Sequence, residues 1–279
     1  MEVQAFYNTV DSSVQKYTFL GRDLYHFARV CPGHEINQDS SAIIHISQEM
    51  GLLVVADGMG GMEKGEKISK LAIETLVQQL KDTRNRESKI SHIILDALED
   101  AHQKIKESKI QGGTTLSICE VTSDYIRFYN IGDSFGLLSG SRGLVKYRTI
   151  DDSITGYGVE SGLITEEKAL THEHSNIITN ALGLDDFRVE VSCKLFPSRY
   201  DLILMSSDGL SANLTTDSIV TTITSGPYEN KLDSVVQLAT KQMTTESAKY
   251  HNPDDLSCFL FSYPGTGDNF FQQSTQTES

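Results

Sequence analysis

No apolar run in these 279 residues approaches the ~20 needed to cross a bilayer. The N-terminus, MEVQAFYNTVDSSVQ, lacks the basic and apolar regions of a secretory signal. Positive charge is scarce: 24 Lys and Arg stand against 38 Asp and Glu, a formal net charge of −14. That excludes nucleic acid and an anionic membrane surface as main partners. The four cysteines, Cys31, Cys119, Cys193 and Cys258, are far apart and form no C-x-x-C pair. They read as reduced thiols of a cytoplasmic protein. No basic cluster adjoins any of them, so none reads as a nucleophile.

Several catalytic signatures are also missing. GMGGMEKGE, residues 58–66, lacks the G-K-[ST] of a P-loop, and Glu63 stands where the last glycine of G-x-G-x-x-G would be. Ser206 and Ser207 have no G-x-S-x-G context. The HEH at 172–174 would turn both histidines to one side only on a strand, and this region is irregular. It reads as a solvated loop.

What is present is periodic. The length suits one large domain or two small ones with a real core. Residues 42–57 read as a hairpin, AIIHI then LLVVAD. Ile68, Leu71, Ala72, Leu76 and Leu80 predict one helix, and Ile90, Ile94, Ala97, Leu98, Ala101 and Ile105 a second, joined by the polar KDTRNRES. The period then changes to two in LSICEV, YIRFYNI, FGLLS and LVKYRT. After an irregular stretch with a short helix at TEEKAL, strands return at FRVEVSCKL and LILMS. Helices follow near 216–224 and 230–246, and LSCFLF is a last strand. Residues 1–25 are weakly patterned and read as an edge strand with a loop. Strands arriving as hairpins, with helices grouped between them, predict antiparallel sheets with helices on their outer faces rather than a doubly wound parallel sheet.

Three apolar runs end on an aspartate beside glycine: Asp57 in LLVVADG, Asp133 in IRFYNIGDS and Asp208 in LILMSSDG. Asp39 precedes the first hairpin strand, and Asp254 or Asp255 precedes the last. One Asp-Gly after a strand is an ordinary turn signal. Carboxylates gathered at one edge of a domain would instead repel unless cations sat among them, and no basic residue adjoins these motifs. Hard divalent cations with oxygen ligands, Mg²⁺ or Mn²⁺, fit that pattern, and the chemistry they imply is metal-assisted hydrolysis.

The ordered set INQDS, VVADGMGGMEKGE, GGTTLS, YNIGDSFGLL, IITNALG, LMSSDGLSANLTTDSI and NPDDLSCFLF resembles the metal-dependent (PPM, type 2C) protein serine/threonine phosphatases, in their bacterial form. The likeness runs from about residue 27 to 262. It implies a central sandwich of two antiparallel β-sheets flanked by helices, with the metals in a cleft at one end. It implies that Asp57 bridges two Mg²⁺ or Mn²⁺ ions and that the Gly58 carbonyl binds one of them. Asp208 and Asp254 complete the first ion, Asp39 acts through bound water, and Asp133 holds the third ion of bacterial members, sharing Asp208. Residues 151–185 match the mobile flap that influences substrate choice. Residues 1–26 are then an N-terminal extension or edge strand, 27–262 the phosphatase domain, and 263–279 a disordered tail.

Three departures stand out. Asp254-Asp255 replaces the usual Asp-Asn. His34 stands where bacterial members carry an arginine that grips the substrate phosphate, and Arg29 is the nearest arginine. Met62 replaces a histidine that often follows DGMGG. His34 has two readings: an exposed loop histidine, or a residue that takes over part of both lost roles, as a cation near the phosphate and as a proton donor. The implied substrates are phosphoproteins, and the implied counterpart is a serine/threonine kinase. The alternative is a weakly active or silent module that keeps the fold and binds phosphorylated partners or a regulator.

Overall fold

The computed structural model describes residues 1–59, 63–83 and 86–265. Met62, residues 84–85 of the expected linker and residues 266–279 of the expected tail lie outside them. The elements run β1 (Glu2–Tyr7), β2 (Gln15–Phe19), β3 (Arg22–Arg29), β4 (Asp39–His45), β5 (Met50–Met59), α1 (Glu63–Asp82), α2 (Arg86–Glu107), β6 (Gly113–Thr114), β7 (Leu116–Thr122), β8 (Ile126–Ile131) and β9 (Phe135–Ser139). They continue with β10 (Val145–Arg148), α3 (Ile154–Glu160), α4 (Glu166–Ala169), β11 (Glu190–Val191), β12 (Leu202–Ser206), α5 (Asp208–Ser211), α6 (Thr216–Thr224), α7 (Tyr228–Thr244) and β13 (Leu256–Ser262).

Two antiparallel sheets result. One is ordered β1-β4-β5-β7-β8-β11, with β6 also on β5; the other is β10-β9-β12-β13-β3-β2. The weakly patterned N-terminus contributes to both: β1 and β2 are edges, and β3 lies between β2 and β13. Edge strands carry mixed polarity because one side faces solvent, which blurs their period.

Alternation along the strands builds the layers. On β5, Leu52, Val54 and Ala56 face the buried side of α1 and α2, meeting Ile68, Leu76, Ile94 and Ala101. Leu53 and Val55 face inward and meet Ile203, Met205, Phe259 and Phe261 of the other sheet. The second sheet turns Leu204 and Leu260 outward onto α6 and α7, against Ile219, Ile223, Leu232 and Val235. The order is helix, sheet, sheet, helix. Among the described residues, no helix is long and apolar enough to cross a membrane.

One expected strand shortens. Of FRVEVSCKL only Glu190–Val191 forms a ladder with β8. Just beyond it the Ser192 hydroxyl, in place of a backbone carbonyl, accepts from the Phe128 N–H at 2.9 Å. Pairing resumes as a single bridge between Leu195 and Ile126.

Candidate metal centre

The side-chain period that packs the sandwich also delivers the carboxylates. On β5, Asp57 follows Leu53 and Val55 in steps of two, so it points between the sheets at their open end. On β4, Asp39 precedes Ile43 by two steps of two, so it shares that inward face, and it pairs directly with Asp57 across the ladder. Asp133 follows β8, Asp208 opens α5 directly after β12, and Asp254 precedes β13. One sheet thus contributes Asp39, Asp57 and Asp133, and the other Asp208 and Asp254. Ligand oxygens of Asp57, Asp133 and Asp208 lie within 4.8 Å of one another. Asp254 lies outside that tight trio but close enough for its charge to act on Asp39, Asp57, Asp133 and Asp208.

The motifs around these residues are their scaffold. Thr114 and Thr115 of GGTT hold the Asp57 backbone: Thr115 N and Thr114 Oγ1 donate to the Asp57 carbonyl at 2.9 and 2.8 Å, and Asp57 N donates to Thr115 Oγ1 at 3.0 Å. Gly58 and Gly65 pack backbone on backbone, so that a Cβ on either would overlap the other's carbonyl. Ser207 is buried and donates to Asp39 Oδ2 at 2.7 Å, while its oxygen accepts from Ser257 N at 3.0 Å. The SSDG serine is therefore a support for Asp39, in keeping with its lack of a nucleophile's surroundings.

Burial is the largest cause that raises the carboxyl pKa values of Asp39, Asp57, Asp133 and Asp208 well above the ordinary range, and their mutual repulsion adds to it. Asp254 is raised to about 6 by burial, against the pull of a hydrogen bond from Asp255 N and of His34. Four buried oxygens here, Oδ1 of Asp39, Asp133, Asp151 and Asp208, have no hydrogen-bond partner. An enclosed, unpartnered carboxylate oxygen is costly. Four facing one region fit oxygen-seeking divalent cations.

Asp151 is the residue that sequence reasoning missed. It lies just past β10 at the first position of the flap, where no strand period marks it. Its charge raises both Asp133 and Asp208. Its own carboxyl is raised by burial, with Arg148 pulling the other way. It lines a cavity of about 290 Å³ with Asp133, Asp208 and Arg148, roofed by flap residues including Ala169 and Leu170.

Asp254 and Asp255 differ in their contacts. Both Asp255 oxygens are taken by backbone N–H groups, Cys31 on Oδ1 and Gln38 on Oδ2, each at 2.6 Å. Asp255 therefore staples the 31–38 loop, and its charge still raises the Asp39 carboxyl. His34 is exposed on that loop, and its charge lowers Asp254 and Asp255. It shares a groove of about 440 Å³ with Arg29 and Asp11, which none of the clustered aspartates lines. At HEH, His172 Nδ1 accepts from His174 N at 3.1 Å, and among the described residues no third ligand joins the pair.

A family model described as protein phosphatase 2C matches residues 33–260. A putative 2C-type protein phosphatase of Streptococcus pyogenes is 31% identical over 217 residues, covering 73% of this chain and 85% of its own length. A serine/threonine phosphatase of Listeria monocytogenes is 28% identical over 184 residues, 63% of this chain and 72% of its own length. The fold matches the catalytic domain of the serine/threonine protein phosphatase PstP, solved with two manganese ions, at a TM-score of 0.65 and 21% identity, covering 86% of this chain and 97% of that one.

Proposed function

Because this chain belongs to the protein phosphatase 2C family, we propose that it hydrolyses phosphoserine and phosphothreonine in proteins at the end of the sandwich where Asp57 emerges. The observation that carries this is the cluster of unpartnered, buried carboxylate oxygens contributed by both sheets. Its all-oxygen donor set suits Mg²⁺ or Mn²⁺. Two such ions, and a third on the Asp133 side, would supply Lewis acidity toward the phosphoryl oxygens and a water acidified to near neutral pH.

Asp57, central to the cluster, would hold two ions, and the Gly58 carbonyl would hold one of them. Asp208 and Asp254 would hold the first. Asp39, fixed through Oδ2 by Ser207, would orient ligand water with its other oxygen. Asp133 and Asp151, with Asp208, would hold a third ion. No side-chain nucleophile is needed, and Ser207 is committed to Asp39 and Ser257. His34, exposed on the loop beside Asp254, would meet the phosphate from the other side in place of the family's arginine. The substrates are phosphorylated proteins, and the opposing enzyme is a serine/threonine kinase of the cytoplasm.

The test is hydrolysis of a phosphothreonine peptide with Mn²⁺, with EDTA, and by the Asp57→Asn protein. Turnover that needs Mn²⁺ and falls more than ~100-fold in the variant supports the reading, since even residues behind metal ligands are worth 10- to 100-fold. No turnover by folded, Mn²⁺-loaded protein would replace it with the silent module that binds phosphorylated partners.

A further inference from the structure

Both ends of the one-turn helix α4, in the flap, are tied to the body of the protein. At its start, the Glu166 carboxylate accepts from Thr216 N at 2.8 Å and from Thr216 Oγ1 at 2.6 Å. It thus sits at the N-terminus of α6, where negative charge is favoured. Arg148 Nη1 stands 3.6 Å from the same carboxylate. At the other end, the Leu170 carbonyl accepts from Asn252 Nδ2 at 3.2 Å.

Asn252 does more than touch the flap. Its Nδ2 also donates to the carbonyl of Ala212, the residue that caps α5, at 2.7 Å. Its backbone N–H and C=O pair with the Asn213 side chain, N to Oδ1 at 3.1 Å and Nδ2 to O at 2.7 Å. Asn213 Nδ2 reaches the Gly209 carbonyl as well, at 3.0 Å. Two asparagines therefore zip α5 to the 252–255 segment. Behind them Gly209 meets the Asp255 carbonyl so closely that a Cβ would overlap it. These two segments carry Asp208 and Asp254.

We propose that Asn252 is a positioning residue that couples docking of the flap to the placement of Asp208 and Asp254, so that flap closure and divalent-cation binding favour one another. This rests on the reading of the carboxylate cluster as a metal centre. The Asn252 amide has two hydrogens, one spent on the flap and one on α5. Lifting α4 leaves the first without its partner and frees the 252–255 segment to shift against α5. The cavity under α4 has Asp208 on its floor and Asn252 in its wall, so the flap closes over the segments it steadies. By linkage, the factor by which a docked flap tightens cation binding equals the factor by which the cation favours the docked flap.

The experiment uses the full chain, Mn²⁺ titration calorimetry, and hydrogen exchange across residues 163–176. Glu166→Ala removes the anchor on α6 and touches neither α5 nor the 252–255 segment. It is expected to speed exchange in the flap and to weaken Mn²⁺ binding about fivefold or more. Asn252→Ala weakens Mn²⁺ binding by itself, and Glu166→Ala added to it changes the Mn²⁺ affinity no further. Mn²⁺ slows flap exchange in the unaltered protein and not in Asn252→Ala. Glu166→Ala that loosens the flap but leaves Mn²⁺ affinity unchanged overturns the proposal. So do additive effects of the two substitutions, which would place the influence in Arg148 and Asp151 instead. Should Asn252→Ala not fold, the Glu166→Ala arm decides alone. An unaltered protein that binds no Mn²⁺ would remove the metal centre itself, a result distinct from an indifferent Glu166→Ala.

Discussion

Asp39 and Asp57 stand directly opposite one another across the β4–β5 ladder, both aimed between the sheets. Like charges directly opposed on adjacent strands destabilise a sheet, and burial raises both carboxyl pKa values. A folded-state pKa above the unfolded value means that the cation-free fold binds extra protons and loses stability as pH rises toward neutrality. Asp57→Asn is therefore expected to make the EDTA-treated protein more stable at pH 7.5, by about 1 kcal/mol, while abolishing turnover. Urea denaturation in EDTA checks this, and a less stable variant would contradict it.

Ser207→Ala removes the hydroxyl that holds Asp39 and accepts from Ser257 N. Two buried polar atoms are left without partners, at a cost of about 1–3 kcal/mol each. Turnover at limiting Mn²⁺ should drop about 10- to 100-fold, because Asp39 loses its orientation. Normal activity at low Mn²⁺ would show that Asp39 needs no such support.

His34→Ala addresses the lost arginine. His34 is exposed, so the fold and Mn²⁺ affinity should barely change. A several-fold higher KM for a phosphothreonine peptide is the expected result. Unchanged steady-state kinetics would assign His34 to the solvated loop alone.

A second histidine governs acid stability. His26 is fully buried, its Nε2 is 2.9 Å from Ser41 Oγ, and burial lowers its pKa to about 3. Asp11 lies 3.7 Å from Nδ1, too far for a hydrogen bond, so the pair is not an ion pair at neutral pH. The unfolded chain takes up a proton near pH 6.5 that the folded chain refuses. The stability contribution is therefore complete above that pH and falls on acidification, by up to about 1.4 kcal/mol per pH unit. Urea midpoints at pH 7, 6 and 5 should show a shallower pH slope in His26→Asn than in the unaltered protein.

Much of the centre was legible because strand ends and chemistry coincide. Asp57, Asp133 and Asp208 each come at the end of an apolar run; Asp57 continues the inward period of Leu53 and Val55, while Asp133 follows the turn at Gly132 and Asp208 opens α5, so strand ends rather than one period bring them to the open end of the sandwich. Asp151 follows no such run. Its place is set by the turn after β10, so only the folded chain brings it to Asp133 and Asp208. The commitment of Asp255 to the 31–38 loop was likewise hidden, since it depends on contacts with Cys31 and Gln38 more than 200 positions away. The hairpin pattern predicted the layered antiparallel architecture. It missed the shortness of β11, where Ser192 stands in for a ladder acceptor.

The contact between Gly58 and Gly65 has a consequence for how the site tolerates change. The residue after Asp57 is referenced to the start of α1 through main-chain atoms alone, with no side chain between them. Substitutions among Ile68, Ala72 and Leu76 can alter how the helix sits on the sheet further along. They do not touch the point from which Asp57 is aimed. The packing of α1 on the sheet can therefore drift in sequence while the geometry of the cluster keeps a fixed origin.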